Sequence, residues 1–156
     1  MSLFLEALAE RVLIFDGAMG TSIHRYNPTP ADWGGEELVN CTEWILYTPP
    51  NWILDIHRQF LEVGCDAVET NTFGANAIAL GEFGKSAYTE EINRRAVRIA
   101  REACQEFSRR TPGQPRFVIG SVGPGTKLIS INNNPISFDE AVAAYAPQMR
   151  AFLEEG

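Results

Sequence analysis

The stretch Val12-Leu13-Ile14-Phe15-Asp16-Gly17-Ala18-Met19-Gly20-Thr21 decides the fold of this chain. Its first four residues are apolar, and a short apolar run that stops at a turn predicts a strand buried on both faces. The strand ends at Asp16, which delivers a carboxylate to the edge of a sheet, and Gly17 and Gly20 let backbone N–H groups approach a ligand. A carboxylate beside bare amides suits a zwitterionic amino acid. The alternative is that Asp16 only caps the turn and the glycines only shape it.

The composition is that of a single globular domain spanning residues 1–156. Of these residues 45% are hydrophobic and 21% are charged, which is ordinary for a chain with a real core. The net charge of -7 disfavours nucleic acids and anionic membranes as partners. The chain has no apolar run of the roughly 18 to 20 residues that a membrane span needs, and no signal-peptide pattern. We therefore expect a cytoplasmic protein.

The cysteines and histidines do not form a recognisable metal motif. Cys41, Cys65 and Cys104 are each separated by more than twenty residues, which matches no metal-ligand spacing. Cys65 and Cys104 are predicted to be small buried hydrophobic residues, whereas the role of Cys41 stays open. His24 and His57 are isolated, which is typical of structural histidines. From these residues we predict no metal site.

Strand and helix patterns alternate three times along the chain. The predicted strands lie within 12–16, 66–74 and 116–125, and the long helices that follow them lie near 50–63, 89–107 and 138–152. Such alternation predicts parallel strands, whose carboxyl ends meet at one edge. Ligands of α/β sheets and barrels bind at that edge. Asn71, Thr72 and Gly123 should therefore lie near Asp16 and form a binding site with it.

The sequence also predicts how several of the helices begin and which faces they bury. A short amphipathic helix is predicted over 3–10, Thr48 is predicted to cap the helix after the first strand, and Ser137 opens a capping box. Pro147 is predicted to kink the last helix, because it removes one helical hydrogen bond. The last helix is expected to bury a stripe at helical spacing: Phe138, Val142, Tyr145, Met149 and Phe152. Two i,i+4 pairs are expected to face water: Glu90 with Arg94 and Glu91 with Arg95.

Two long connections need an explanation. Residues 26–48 exceed a plain linker, so we interpret them as a cover over the site, with a variable surface insertion as the alternative. A second loop of more than ten residues follows Gly125 and includes Asn132-Asn133-Asn134-Pro135. The glycines at 120, 123 and 125 do not have the spacing of a dinucleotide or phosphate-binding loop, so a nucleotide ligand is not favoured.

Three motifs occur in the order and at the approximate separations of the homocysteine S-methyltransferase family, and the chain resembles that family over nearly its whole length. The motifs are Asp16-Gly17-Ala18-Met19-Gly20-Thr21, Glu69-Thr70-Asn71-Thr72-Phe73 and Gly120-Ser121-Val122-Gly123-Pro124. The resemblance is greatest to the N-terminal homocysteine-binding module of its cobalamin-dependent methionine synthase group. It implies an α/β fold, namely the first three β/α units of a (β/α)8 TIM-type barrel that stops before the fourth strand.

The resemblance also implies a ligand and a reaction. Asp16 would hold the ammonium group of homocysteine, the amides around Gly17 and Ala18 its carboxylate, and Asn71 and Thr72 would line the pocket. In the family, zinc on three cysteines near later strands binds the sulfur as a thiolate, which accepts a methyl group from methylcobalamin. The cysteines of this chain do not match those ligands. We therefore expect it to bind neither zinc nor cobalamin and to have no methyltransferase activity alone.

The expected partners follow from the same resemblance. They are homocysteine, the remaining C-terminal part of the barrel, and downstream folate and cobalamin modules. Unpaired strand edges also predict self-association of a chain with only three strands. Two other functions stay open: a homocysteine methyltransferase that uses betaine or S-methylmethionine as methyl donor, and a non-catalytic module that binds an amino acid.

Overall fold

The computed structural model describes residues 2–129 and 135–156. Within these two ranges the helices are α1 (Leu3–Glu10), α2 (Met19–His24), α3 (Pro30–Trp33), α4 (Pro50–Glu62), α5 (Ala77–Gly81), α6 (Thr89–Arg110) and α7 (Phe138–Glu155). The strands are β1 (Ala67–Glu69), β2 (Phe117–Ile119), β3 (Leu128–Ile129) and β4 (Pro135–Ile136). Three 3-10 turns lie at Glu36–Leu38, Thr42–Leu46 and Ser86–Tyr88. None of the helices in the described ranges is long and apolar enough to cross a bilayer.

A short parallel sheet organises the site. β1 and β2 pair in parallel, with Val68 opposite Val118. On the other side of β1, Phe15 forms a parallel bridge with Ala67, and the Asp16 N–H donates to the Ala67 carbonyl at 3.1 Å. Residues 14–16, β1 and β2 therefore run side by side in one direction. The predicted parallel order of the three segments is confirmed.

The first predicted strand differs from expectation in length and burial. Only residues 14–16 pair with β1, so the stretch is a bridge rather than a regular strand. Val12 is 84% exposed and Ile14 is 59% exposed, because none of the described residues covers their side of the segment. The prediction that this strand is buried on both faces is wrong. β1 and β2 are also shorter than the predicted strands, at three residues each.

The helix α6 packs against α4 and α7 and carries much of the core. Its predicted inward stripe is confirmed, since Ile92, Ala96, Ala103 and Phe107 are buried and Ile99 packs against the core. The Glu90–Arg94 pair forms at 2.7 Å, as predicted. Arg95 instead donates its Nε–H to the Leu46 carbonyl at 2.6 Å and lies over the Tyr47 ring. Arg95 therefore holds residues 42–47 against α6 rather than facing water.

The helix α7 buries a different face from the predicted one. Its buried residues are Ala144, Gln148 and Ala151, whereas Phe138, Val142 and Met149 are exposed. Small side chains let the helix lie close to the sheet and α6, and the large apolar residues point elsewhere. The predicted stripe is therefore wrong except for the partly buried Tyr145 and Phe152.

The two predicted helix caps have different outcomes. The capping box of α7 is confirmed, because the Ser137 hydroxyl accepts from the Glu140 N–H and the Glu140 carboxylate accepts from the Ser137 N–H. The helix then runs to Glu155 through Pro147. The prediction for Thr48 is wrong. Its hydroxyl donates to the Asp32 carbonyl, and α4 begins at Pro50 without a side-chain cap.

The segment 26–48 is part of the core rather than a surface insertion. The segment contains α3 and the 3-10 turns Glu36–Leu38 and Thr42–Leu46. It contributes five buried residues to the larger hydrophobic cluster, namely Trp33, Leu38, Cys41, Ile45 and Leu46. This clustering fixes the segment against α4 and α6. In the connection after Gly125, β3 and β4 pair in parallel. The predicted loop residues Asn132–Asn134 lie outside the described residues.

Candidate active site

A cavity of about 440 Å³ lies at the carboxyl ends of the three parallel segments. Its lining comes from residues 16–20, 42–43 and 69–74 and from Ser121. A larger cavity of about 720 Å³ lies between α6, β2 and the end of α7. The larger cavity contains no carboxylate side chain in its lining, and none of its lining residues comes from residues 14–16 or from β1. The smaller cavity is therefore the candidate site.

Five of the six predicted site residues line this cavity. They are Asp16, Gly17, Ala18, Asn71 and Thr72. Gly123 does not line it, and its N–H donates to the Phe73 carbonyl at 2.9 Å. A Cβ at Gly123 would lie 2.6 Å from that carbonyl oxygen, so only glycine fits this close approach. Gly123 thus supports Phe73 at the rim.

The Asp16 carboxylate is held at the base of the pocket. Its side chain is 3% exposed, and Oδ1 accepts a hydrogen bond from the Glu69 N–H at 2.7 Å. Oδ2 lies 3.8 Å from Nδ1 of His57 on α4. Asp16 therefore links the turn after the first segment to β1, and it faces the pocket from between β1 and α4.

The turn after Asp16 presents unpaired backbone amides. Ala18 has φ 53 and ψ 36, the left-handed conformation, which costs an alanine roughly 1–2 kcal/mol. Within the described part of the chain, the N–H groups of Gly17 and Ala18 have no hydrogen-bond acceptor. Such strain is concentrated at ligand sites, where it sets the direction of functional groups. The turn can therefore offer two donors to an anion.

A closed chain of hydrogen bonds forms the floor of the pocket. The Ser121 N–H donates to Thr70 Oγ1 at 3.0 Å, and Thr72 Oγ1 donates to the Ser121 carbonyl at 2.8 Å. The Thr70 hydroxyl therefore donates to Thr72 Oγ1 in the 2.6 Å contact between the two threonine hydroxyls. Gln148 of α7 also donates to the Thr72 carbonyl at 2.9 Å. Thr72 is fully buried, so it fixes β1 against β2 beneath the pocket.

Asn71 joins the pocket to the segment 26–48. Its Nδ2 donates to the Thr42 carbonyl at 2.7 Å. The Gly74 N–H donates to Glu43 Oε1 at 2.7 Å, and Thr42 donates its hydroxyl to Glu43 Oε2 at 3.0 Å. These contacts make residues 42–43 a wall of the pocket. The interpretation of 26–48 as a cover over the site agrees with this position.

The lining residues that were not among the predicted site residues include Glu43, Glu69 and Ser121. Glu69 lies at the end of β1, and its Oε2 accepts from the Ser121 hydroxyl at 2.8 Å. The alternation of side chains along a strand could have predicted the position of Glu69, because Glu69 and Asn71 share a face in an extended chain. Glu43 lies in a segment without periodicity, so no sequence signal placed its carboxylate at the pocket.

The charge of the lining is one-sided. Its ionisable side chains are the carboxylates of Asp16, Glu43 and Glu69, and the lining contains no lysine, arginine or histidine. Opposite charges attract strongly in a partly desolvated pocket. The site therefore favours a cationic group near these carboxylates, with the amides of Gly17 and Ala18 beside it for an anionic group.

Comparison with known proteins decides the family. The family model for homocysteine S-methyltransferase matches residues 13–156. The chain belongs to the homocysteine S-methyltransferase family. A methionine synthase of Mycobacterium leprae (strain TN) is 41% identical over 129 residues, which is 83% of this chain and 10% of that protein. The chain thus spans about a tenth of the length of this curated relative.

Solved structures of a homocysteine methyltransferase share the fold. The homocysteine methyltransferase MmuM from Escherichia coli, in its metallated form, superposes with a TM-score of 0.74 at 22% identity. The match covers 97% of this chain and 54% of that structure. The oxidised form gives a TM-score of 0.75 at 23% identity and covers 97% and 53% of the two chains. The chain therefore has the fold of about half of a homocysteine methyltransferase.

Zinc is the metal that the family resemblance implies, and the side chains of the described residues do not form a site that fits it. Residues 2–129 and 135–156 contain no group of three histidine, cysteine or acidic side chains that could hold a metal ion. Burial raises the pKa of the Cys41 thiol to about 11 and that of Cys104 to about 12. The Cys65 and Cys104 thiols donate to the carbonyls of Phe15 and Phe117. The three cysteines are buried, as predicted for Cys65 and Cys104, and burial keeps their thiols protonated.

Proposed function

We propose that this chain is the homocysteine-binding part of a methionine synthase and forms the first three β/α units of a (β/α)8 barrel. The family assignment and the methionine synthase relative support the proposal. The parallel order of residues 14–16, β1 and β2 also supports it, because a barrel begins with neighbouring parallel strands. The candidate pocket lies at the carboxyl ends, where barrel enzymes bind their substrates.

The observation that carries the proposal is the chemistry of the pocket lining. Homocysteine has an ammonium group, a carboxylate and a short thiol side chain. The ammonium group would lie near Asp16 and Glu69, whose carboxylates have no basic neighbour in the lining. The homocysteine carboxylate would accept hydrogen bonds from the backbone amides of Gly17 and Ala18, which lack other partners among the described residues. Asn71 and Thr72 would complete the pocket, and Gly123 would hold Phe73 at its rim.

In the proposed reaction of the whole protein, methylcobalamin would supply the methyl group, with the electron pair of the broken cobalt–carbon bond left on cobalt. The homocysteine thiol would lose its proton and form the new carbon–sulfur bond. This chain would contribute binding and orientation of the amino-acid end. The sulfur-binding zinc of the family would need ligands outside the described residues. We therefore propose that the chain alone has no methyltransferase activity. Methionine formed from methylcobalamin and homocysteine by the zinc-supplemented chain would contradict this.

Calorimetry tests the binding site. The full chain is titrated with L-homocysteine and with 4-mercaptobutyrate, which lacks the amino group. We expect homocysteine to bind and the analogue to bind at least about tenfold more weakly, because a charged hydrogen bond contributes roughly 1.5–3 kcal/mol. Glu69→Gln should weaken homocysteine binding, whereas Glu82→Gln, at an exposed position outside the pocket lining, should not. Equal affinity for both ligands would refute the ammonium site.

The exposed edges support a further part of the proposal, which concerns partners. Val12 and Ile14 are exposed on one edge of the sheet, and on the other edge β2 borders the larger cavity. We propose that the remaining segments of the barrel cover these edges and that the isolated chain self-associates through them. Light scattering should show a mass that rises with concentration. A constant monomer mass in the millimolar range would contradict self-association.

A further inference from the structure

His57 is a buried polar side chain without an assigned partner. It lies on α4 and is fully buried. Neither Nδ1 nor Nε2 has a hydrogen bond within the described residues. An unpaired imidazole in the interior is unfavourable, because both of its nitrogens lose their water. Its position behind the pocket therefore calls for an explanation that core packing does not give.

The group that faces His57 is also incompletely paired. The Asp16 carboxylate is 3% exposed, and the described residues supply it one hydrogen bond, from the Glu69 N–H to Oδ1. A carboxylate accepts several hydrogen bonds. Oδ2 lies 3.8 Å from His57 Nδ1, so the open acceptor of one residue faces an unpaired nitrogen of the other.

We propose that His57 is a positioning residue for Asp16, with its Nδ1–H donating to Asp16 Oδ2. The two atoms need to approach by roughly 0.8 Å to reach an ordinary hydrogen-bond length, and such bonds are often long in ligand-free sites. The carboxylate is then held between the Glu69 amide and the imidazole. It cannot rotate away from the pocket when a ligand ammonium group arrives.

The tautomer of His57 follows from the same geometry. If Nδ1 were unprotonated, its lone pair would face the carboxylate and repel it, and an Nε2–H would have no acceptor. With the proton on Nδ1, the repulsion becomes a charge-assisted hydrogen bond. The structure therefore favours the Nδ1–H form, whereas free imidazole in water is not constrained in this way.

Nuclear magnetic resonance of the full chain tests this tautomer without a ligand. The sequence contains two histidines, and the exposed His24 is the internal control. Long-range ¹H–¹⁵N spectra at neutral pH should show a protonated Nδ1 for His57 and a solvent-averaged pattern for His24. Asp16→Asn should shift the His57 nitrogens and leave those of His24 unchanged. A bare Nδ1 at His57, or no response to Asp16→Asn, would overturn the proposal.

A second experiment measures the effect on binding and rests on the proposed function. His57→Asn keeps an N–H donor near the Nδ1 position, and His57→Leu removes it. We expect His57→Leu to raise the Kd for homocysteine about tenfold, and His57→Asn to raise it less than about threefold. In an Asp16→Asn background, His57→Leu should have little further effect. Equal weakening by both variants, or an undiminished effect without Asp16, would show a merely structural role.

The two experiments separate the two claims. If the wild-type chain does not bind homocysteine, the proposed function fails, while the tautomer of His57 still decides the pairing with Asp16. If His57→Leu does not fold, which circular dichroism shows directly, the spectra of the wild-type chain and of Asp16→Asn remain decisive. His24→Leu, at an exposed position outside the pocket lining, is the matched control for binding.

Discussion

Asp66 ties the segment that carries Asp16 to the central sheet, and replacing it should loosen that attachment. Its carboxylate is 3% exposed and accepts from the Arg11 guanidinium at 2.7 Å and from the Ile14 N–H at 2.9 Å. These donors, Arg11 foremost, lower the pKa of Asp66 from 3.8 to about 2. A difference of this size corresponds to about 2 kcal/mol of stability at neutral pH. Asp66→Asn should lose about that amount.

The sign of the pH dependence follows from the lowered pKa. Asp66 stabilises the folded chain when it is ionised, so its contribution is complete above pH 4 and is lost as the pH falls through about 2. The difference in stability between the wild type and Asp66→Asn should therefore shrink between pH 4 and pH 2. The pairing of residues 14–16 with β1 depends on this carboxylate in the same range.

Urea unfolding followed by circular dichroism measures this difference. Asp55→Asn is the matched control, because Asp55 is half-exposed and its contact with Arg58 is 3.4 Å. That substitution should change the free energy of unfolding by less than about 0.5 kcal/mol. A loss at Asp66 no larger than that of the control, or a loss that is the same at pH 7 and at pH 2.5, would refute the reasoning.

Three other predictions concern packing and the thiols. Gly123→Ala should lower the free energy of unfolding, measured in urea, by about 1–3 kcal/mol, since the new methyl group meets Phe73. Gly113→Ala has open space around it and should leave the free energy of unfolding nearly unchanged. Gln148→Leu removes buried donors to two carbonyls and should lower the free energy of unfolding by about 1–3 kcal/mol. A thiol reagent at pH 8 should label no cysteine in the folded chain and all three in denaturant, because burial holds the thiols protonated. Rapid labelling of the folded chain would contradict the last prediction.

Much of the site could be predicted because strand direction follows from strand and helix alternation. A helix between two strands makes the strands parallel, and parallel strands end at the same edge. Asp16, Asn71 and Thr72 lie toward the carboxyl ends of predicted strands, so the prediction that they lie close together depended only on this rule. The structure places all three at one cavity. The three motifs behind the family resemblance add the ligand, which strand order alone does not give.

Other features depend on tertiary contacts that periodicity does not encode. The pattern in α7 contains both a stripe of large apolar residues and a stripe of small ones, and the structure buries the small stripe around Gln148. Thr48 and Arg95 bond to distant carbonyls rather than to their predicted local partners. Glu43 reaches the pocket through a segment of irregular turns. In each case a contact between residues far apart in sequence decides the outcome.

The most direct test of the account locates homocysteine on the chain itself. The uniformly ¹⁵N-labelled chain is titrated with L-homocysteine up to about 10 mM, and the backbone amide shifts are followed residue by residue. We predict saturable changes at residues 16–20 and 69–74, which line the acidic cavity. Changes confined to the larger cavity beside Phe117 and Phe152, or no change at any concentration, would contradict a homocysteine site at the carboxyl edge of the sheet.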